Sequence, residues 1–407
     1  MNATLGIDID RLLQRLRALG QVGGIEGGGS CRLALSDEDH RGRDLVRDWM
    51  QQLGLQVRID GIGNVVGTWA GTEPGPAVMT GSHIDTVRTG GLYDGNLGVL
   101  AGLEVIETLR DAGVKPRRPI AVAYFTNEEG ARFAPDMMGS LVFVGGMALQ
   151  EARAAVGIDG ATVGAELDRI GYAGTDSIEA PHAYVELHIE QGPVLEREGV
   201  QIGVVQGVQG ISWTEVTVRG VSNHAGTTPM ALRHDAGFVA GSMIAFVRQL
   251  AREMGGDQIA TVGRLSLRPD LVNVIPNQAT FTIDLRNTNE TALAEAERRV
   301  HAELERLAAE EGVTVTRRSL ARFEPVDFDP GLVDRVEAAA QGRGLSTRRM
   351  PSGAGHDAQM LARICPAAMI FVPSVGGISH NVREHTEPAD LEAGANVLLE
   401  VLRGLAG

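Results

Sequence analysis

Four segments of this 407-residue sequence end in residues that can hold metal ions. GSHIDT brings His83 and Asp85, FTNEEG brings Glu128 and Glu129, HIEQG brings His188, and VPSVGGISH brings His380. Each follows an apolar run with strand character, at residues 77–79, 119–125, 184–187 and 367–372. A loop acid, Asp94 in GGLYDGNLGV, follows the first run between glycines. Imidazole nitrogen combined with carboxylate oxygen, without thiolate, is a donor set for zinc, manganese, cobalt or nickel. Two such ions can share a carboxylate and activate one water. His83 and His188 would then hold one ion, Glu129 and His380 the other, and Asp94 would bridge them. Asp85 is spaced to accept the remaining ring N–H of a ligand histidine and fix its tautomer. Glu128 points away from its neighbour Glu129, so one acid can coordinate while the other serves as general base. This inventory suits hydrolysis of an amide-like bond at neutral pH.

Taken singly, each histidine reads as a surface residue and each acid as a solvated side chain or cap. Their recurrence at four strand ends carries the metal reading. His385 competes with His380 for the last ligand position. His40, His182, His234 and His301 lie in polar or helical contexts and are expected at the surface.

Ligands gather outside the carboxyl ends of strands in open parallel sheets. The sequence alternates strand and helix patterns accordingly. Residues 36–54 form a helix pattern with Ser36 as N-cap, three acids in the first turn and Gly54 at the end. Residues 97–111 and 389–404 read as further helices. The expected catalytic domain, residues 1–210 and 325–407, is α/β, with a mainly parallel sheet covered by helices on both faces. Residues 211–324 differ. The runs 213–219 and 279–286 alternate with period two, and helix patterns cover 234–254 and 290–312. This predicts an inserted α+β domain with an antiparallel sheet. GIGNVVG, residues 61–67, reads as a hairpin turn and not a phosphate loop. GGIEGGGS, residues 23–30, reads as a flexible loop near the site.

A formal net charge of -15 without a basic run argues against nucleic acid and anionic membranes as partners. No apolar stretch is long enough for a membrane helix, and no signal-peptide pattern opens the chain. Two distant cysteines, Cys31 and Cys365, exclude a disulfide framework or a thiolate metal site. A cytoplasmic enzyme is expected, and the patterns at Asn2-Ala3-Thr4 and Asn289-Glu290-Thr291 are read as chance glycosylation matches. No G-x-S-x-G is present.

Long, ordered motifs then carry a resemblance. GSHIDTVRTGGLYDGNLGVLAGLEV, TNEEGARF, HIEQGPVLE, SNHAGTTPM, RPDLVNVIPNQATFTIDLR and SGAGHDA resemble the hydantoinase/carbamoylase amidase branch of the M20 metallopeptidase superfamily, from about residue 20 to the end. The resemblance implies the same ligands, His83, Asp94, Glu129, His188 and His380, two divalent ions (Zn²⁺, Mn²⁺, Co²⁺ or Ni²⁺), Glu128 as general base and Asp85 behind the ligands. His380 is preferred because the family's last ligand precedes a glutamate by four residues, here Glu384. It also implies substrate contacts from Gln191, His224, Asn273 and Arg286, with backbone contacts at Gly353 and Gly355 and a weaker candidate in His356. Arg286 would fork onto a substrate carboxylate. His224 would donate to the developing oxyanion. Read without the resemblance, Arg286 is a surface ion pair and His224 a turn residue. The inserted domain would act as a lid and as the interface of a homodimer. The implied reaction is hydrolysis of N-carbamoyl-L-amino acids. β-Ureidopropionase, allantoate amidohydrolase and N-acyl amino acid hydrolase activities are the alternatives, and a binding protein on an inactivated hydrolase scaffold is the rival outside the enzymes.

Overall fold

The computed structural model describes residues 5–407, so the Asn2-Ala3-Thr4 pattern lies outside the described residues. The chain forms two compact units. One contains the residues up to Gly207 together with Asp327–Gly407, and the other is Val208–Val326.

The strands in chain order are β1 (Gln56–Ile59), β2 (Val65–Trp69), β3 (Val78–His83), β4 (Ile120–Phe125), β5 (Ala183–Ile189), β6 (Ile202–Val208), β7 (Gly210–Arg219), β8 (Ile259–Thr261), β9 (Leu265–Arg268), β10 (Gln278–Asn287), β11 (Thr314–Phe323), β12 (Val326–Asp327), β13 (Thr347–Ser352) and β14 (Ala367–Val372). The larger unit is built on a nine-stranded sheet of order β1-β2-β4-β3-β5-β14-β6-β12, with β13 paired to β6. Its centre, β4-β3-β5-β14, is parallel. The flanking pairs β1–β2, β2–β4 and β14–β6 are antiparallel. Every residue of the four central strands is buried. Burial at consecutive positions requires cover on both faces, which explains why these strands read as unbroken apolar runs.

The register brings the central carboxyl ends together. His83 lies opposite Phe125, and His188 lies opposite Phe371. The chain therefore leaves β3, β4 and β14 on the edge where β5 presents His188.

Helix Asp37–Gln52 starts as its sequence dictates, with the Ser36 hydroxyl accepting the Asp39 amide at 3.2 Å. Its inner face carries a fully buried ion pair, Arg43 Nε to Asp39 Oδ2 at 2.7 Å. Arg43 also donates to the Gly63 carbonyl and the Thr126 hydroxyl. One guanidinium thus joins the helix, the β1–β2 hairpin and the segment leaving β4. The GIGNVVG glycines do serve that hairpin: Asp60 Oδ1 accepts the amides of Ile62 and Asn64, and Gly63 takes φ +83°. The GGIEGGGS loop pairs at Ser30 with Gly90 and packs Gly27 and Gly29 against Val382, beside the segment carrying His380.

The smaller unit has a five-stranded antiparallel sheet of order β11-β7-β10-β8, with β9 on β10. Strand β10 alternates strictly, burying Ala279, Phe281, Ile283 and Leu285. These residues meet Val216 and Val218 of β7 and the apolar stripes of helices Ala236–Met254 and Glu290–Glu311. Asn289 of the second glycosylation pattern is that last helix's N-cap, accepting the Ala292 amide at 2.9 Å. No described helix is long and apolar enough to cross a membrane.

Asp39→Ala leaves Arg43 buried without its counter-charge. Urea unfolding should show a loss of about 3–5 kcal/mol; a loss below about 1 kcal/mol would contradict the role given to this pair.

Candidate metal centre

The centre is organised by Asp94. The helix Asn96–Asp111 begins just after it, and Gly95 makes the turn with φ +66°. A side chain at Gly95 would place Cβ 2.4 Å from the His83 ring, so only glycine lets Asp94 sit this close to the end of β3. Asp94 is 5% exposed. Its Oδ1 faces His83 Nε2 at 3.5 Å and His188 Nε2 at 3.3 Å. Its Oδ2 faces His380 Nε2 at 3.4 Å. Glu129 Oε2 lies 3.1 Å from the same His380 nitrogen. Ligand atoms of His83, Asp94 and His188 all lie within 4.8 Å of one another, and so do those of Asp94, Glu129 and His380. The sequence-predicted set therefore forms two groups sharing Asp94.

The donor chemistry fits divalent metal. His83 Nδ1 lies 2.9 Å from the Asp85 carbonyl, and His188 Nδ1 lies 2.9 Å from the Ile189 carbonyl. A carbonyl can only accept, so each Nδ1 carries a proton, and Nε2, on the Asp94 side, is the nitrogen that a neutral ring would offer to a metal ion. The Gly95 amide donates to His188 Nε2 at 3.1 Å, which requires the same tautomer.

Asp85 departs from expectation. Its backbone carbonyl, and not its carboxylate, holds the His83 ring; Asp85 Oδ1 is 3.9 Å from Nδ1. The carboxylate instead accepts the amides of Glu128 and Glu129 at 3.2 and 3.3 Å. Those amides lie in a turn after β4 where Asn127 has φ +57° and would otherwise be unpaired. Asp85 thus fixes the backbone that carries both acids.

Glu128 Oε2 sits 3.3 Å from His83 Nε2. Burial pushes the Glu128 carboxyl well above the usual carboxylate range, the His83 charge opposing and Asp357, Glu129 and Asp94 adding to it. Burial also disfavours imidazolium at His83, but Glu128, Asp94, Asp85 and Glu129 outweigh it and hold its pKa well above the ordinary value. Asp94 is held well below the carboxylate range: burial would raise it, and His188, His380 and His83 prevail. Hydrogen bonds that His380 donates to Asp94 and Glu129 push it up to about 10.

Gln191 takes φ +58° and donates Nε2 to Asp94 Oδ2 at 2.8 Å. Its buried Oε1 has no hydrogen-bond partner among the described residues, leaving an acceptor ready for a donor. His385 stands apart, exposed, 3.5 Å from Glu387 and edge-on to Tyr93, so the structure puts His380 and not His385 beside Asp94. His356 is buried beneath His188, ring centroids 4.6 Å apart, and not presented at the surface of the site. Gly353 and Gly355 lie in the loop after β13, the first exposed and the second half-buried.

In the smaller unit, His224 and Asn273 are brought together: the Ala225 amide donates to the Asn273 carbonyl at 2.9 Å, and His224 bridges Val274. His224 Nδ1 accepts from the amides of Gly226 and Thr227, so its exposed Nε2 carries the proton. Arg286 stands on β10, its Nε and Nη2 bonded to Asp284 at 3.1 and 3.0 Å, with the guanidinium 5.8 Å over Trp213.

Three buried acids were given no role by the sequence, although Glu384 served there as the marker that places His380. Glu186 in β5 accepts from Ser82 and the Ala358 amide at 2.6 and 2.8 Å. Asp357 is fully buried, and burial beside Glu186 pushes it up to about 8. Glu384 lies behind the Asp94 loop. An acid inside the apolar run Tyr184–Leu187 was the available signal for Glu186.

Because His380 is raised to about 10, the metal-free protein carries it protonated below that pH. Metal needs the neutral imidazole, so Zn²⁺ affinity should rise with pH up to about 10, and binding at pH 8 should release protons. Calorimetry in buffers of different ionisation enthalpy measures this; an enthalpy independent of buffer would contradict it.

Comparison with known proteins agrees with this geometry. The chain is 41% identical to the N-carbamoyl-L-amino-acid amidohydrolase of Rhizobium meliloti, covering 97% of this chain and 96% of that protein. It is 40% identical to the N-carbamoyl-L-amino acid amidohydrolase of Geobacillus stearothermophilus, covering 98% of each. The crystal structure of an amidase of the hydantoinase/carbamoylase family from Burkholderia multivorans superposes with a TM-score of 0.95 at 43% identity, covering 99% of this chain and 98% of that one. Residues 79–404 match the family described as Peptidase family M20/M25/M40, and the chain belongs to that family.

Proposed function

We propose that this chain is a binuclear-metal-dependent amidohydrolase that cleaves the carbamoyl C–N bond of N-carbamoyl-L-amino acids, giving amino acid, carbon dioxide and ammonia. The observation that carries this reading is the division of Asp94: one carboxylate oxygen faces His83 and His188, the other His380. His83 and His188 would hold one divalent ion, Glu129 and His380 the second, and Asp94 both. When bound, such ions polarise a carbonyl and lower the pKa of water from about 15.7 towards about 7. Zinc, manganese, cobalt and nickel all suit the donors.

Glu128 takes a proton from the attacking water as its oxygen bonds to the carbamoyl carbon. It returns that proton to the amino acid nitrogen as the carbon–nitrogen bond breaks. The carbamate released then decays to carbon dioxide and ammonia. A carboxyl raised by burial suits both halves of this transfer. Asp85 holds Glu128 in place through its backbone amide. His224, with Nε2–H fixed by its neighbours, is assigned to the oxyanion. Arg286 and Asn273 are assigned to the substrate carboxylate, Gln191 Oε1 to a ureido N–H, and Gly353 and Gly355 to backbone contacts. The chain would work in the cytoplasm as a homodimer through its smaller unit, that unit serving as lid.

Glu128→Gln should lose about 10²–10⁴-fold in kcat while binding the same amount of metal; unchanged turnover would remove Glu128 from the mechanism. Lysine cannot reproduce the planar fork of arginine, so Arg286→Lys should raise KM for carbamoyl amino acids more than it lowers kcat. An unchanged KM would move the carboxylate elsewhere. The substrate class is tested by ammonia release from N-carbamoyl-L-amino acids, N-carbamoyl-β-alanine and allantoate by Mn²⁺-loaded protein, with amine release from N-acetyl amino acids alongside. N-carbamoyl-L-amino acids should be turned over fastest; preference for any other member would reassign the activity to that class, and turnover of none would contradict the proposal.

A further inference from the structure

We infer that Glu384 is a positioning residue for the metal centre: it locks the loop carrying Asp94 to the loop carrying His380 and sets the direction in which the Asp94 carboxylate faces. The inference deepens the proposed function and rests on Asp94 bridging two ions.

Glu384 is 6% exposed. Its Oε1 accepts the amides of Tyr93 at 3.0 Å and Asp94 at 3.2 Å. Its Oε2 lies 3.0 Å from the Ser379 hydroxyl, which itself lies 3.0 Å from Asp94 Oδ2. One oxygen of this carboxylate therefore holds the Asp94 backbone amide, while the other shares the single Ser379 proton with the Asp94 oxygen that faces His380. Ser379 and Glu384 flank His380, so the same contacts fix that histidine's loop. Tyr93 and His385 extend the seam, ring edge to face at 6.1 Å.

The surroundings make room for this acid and no larger contact. A side chain at Gly91 would place Cβ 2.1 Å from Glu384 Oε1, which accounts for glycine two residues before Tyr93. Aspartate is too short to reach both amides and the hydroxyl. Glutamine keeps one acceptor oxygen for the amides and can donate its NH₂ to Ser379, which can still donate to Asp94. Alanine strands two buried amides and frees the Asp94 loop.

The test measures Mn²⁺ stoichiometry and affinity by calorimetry, together with kcat and KM, in full-length Glu384→Ala and Glu384→Gln. Outer contacts of metal sites cost about 10–100-fold in affinity or activity when removed. Glu384→Ala should lose affinity on that scale with KM for substrate little changed, and Glu384→Gln should recover most of it. A folded Glu384→Ala with wild-type Mn²⁺ affinity and kcat overturns the inference, as does a Glu384→Gln no better than alanine. If the alanine variant fails to fold, Ser379→Ala decides: it leaves the amides paired, and it should still weaken Mn²⁺ binding. Wild-type affinity in Ser379→Ala would then overturn the inference. Wild-type protein that is fully active with one Mn²⁺ per subunit would overturn the bridge itself, a failure distinct from that of Glu384.

Discussion

The Asp94 carboxylate lies almost wholly out of water, and an anion so placed is tolerated only where charge and hydrogen bonds meet it. Three imidazoles, the Gln191 amide and the Ser379 hydroxyl do so. They arrive from β3, β5 and the segment after β14, so the charge at Asp94 binds together strands far apart in sequence. Cations shared between its two oxygens would complete that balance. The rest of the centre follows from it: Glu129 completes the group around His380, and Glu128 is left beside His83, where the proposed proton transfers would take place.

The sheet supplies the common edge. Parallel pairing of β4, β3, β5 and β14 sends four carboxyl ends one way, and complete burial of these strands makes their direction and register hard to change. Precision comes from the turns that follow. Asn127, Gln191 and His380 are all non-glycine residues with φ between +54° and +58°. Such conformations persist where surrounding contacts over-determine them. Asn127 is held through Phe133 and Pro135 carbonyls, and Gln191 through the Ser374 hydroxyl.

The division between what could and could not be read from sequence has a physical basis. His83, Glu129, His188 and His380 were legible because polar groups at the ends of apolar runs break a pattern, and because the break recurs. The Ser36 cap, the β1–β2 hairpin and the alternation of β10 were legible because each depends on neighbouring residues alone. Asp85 was placed correctly near His83, but its partners were not, since the amides of Glu128 and Glu129 reach it only through the pairing of β3 with β4. The antiparallel flanks of the sheet depend on pairings of the same long-range kind. Glu186 and Asp357 look like ordinary acids in a chain rich in them, and Glu384 was visible only as a spacing marker for His380; the burial of all three arises from tertiary packing that no local pattern encodes.

The measurement that bears most directly on a shared Asp94 is electron paramagnetic resonance of protein loaded with two equivalents of Mn²⁺ per subunit. Ions bridged by one carboxylate lie about 3.5–4 Å apart and couple their spins. The predicted spectrum is that of an exchange-coupled pair, lost in Asp94→Ala. The sharp hyperfine pattern of isolated Mn²⁺ at full loading in an active enzyme would contradict the account.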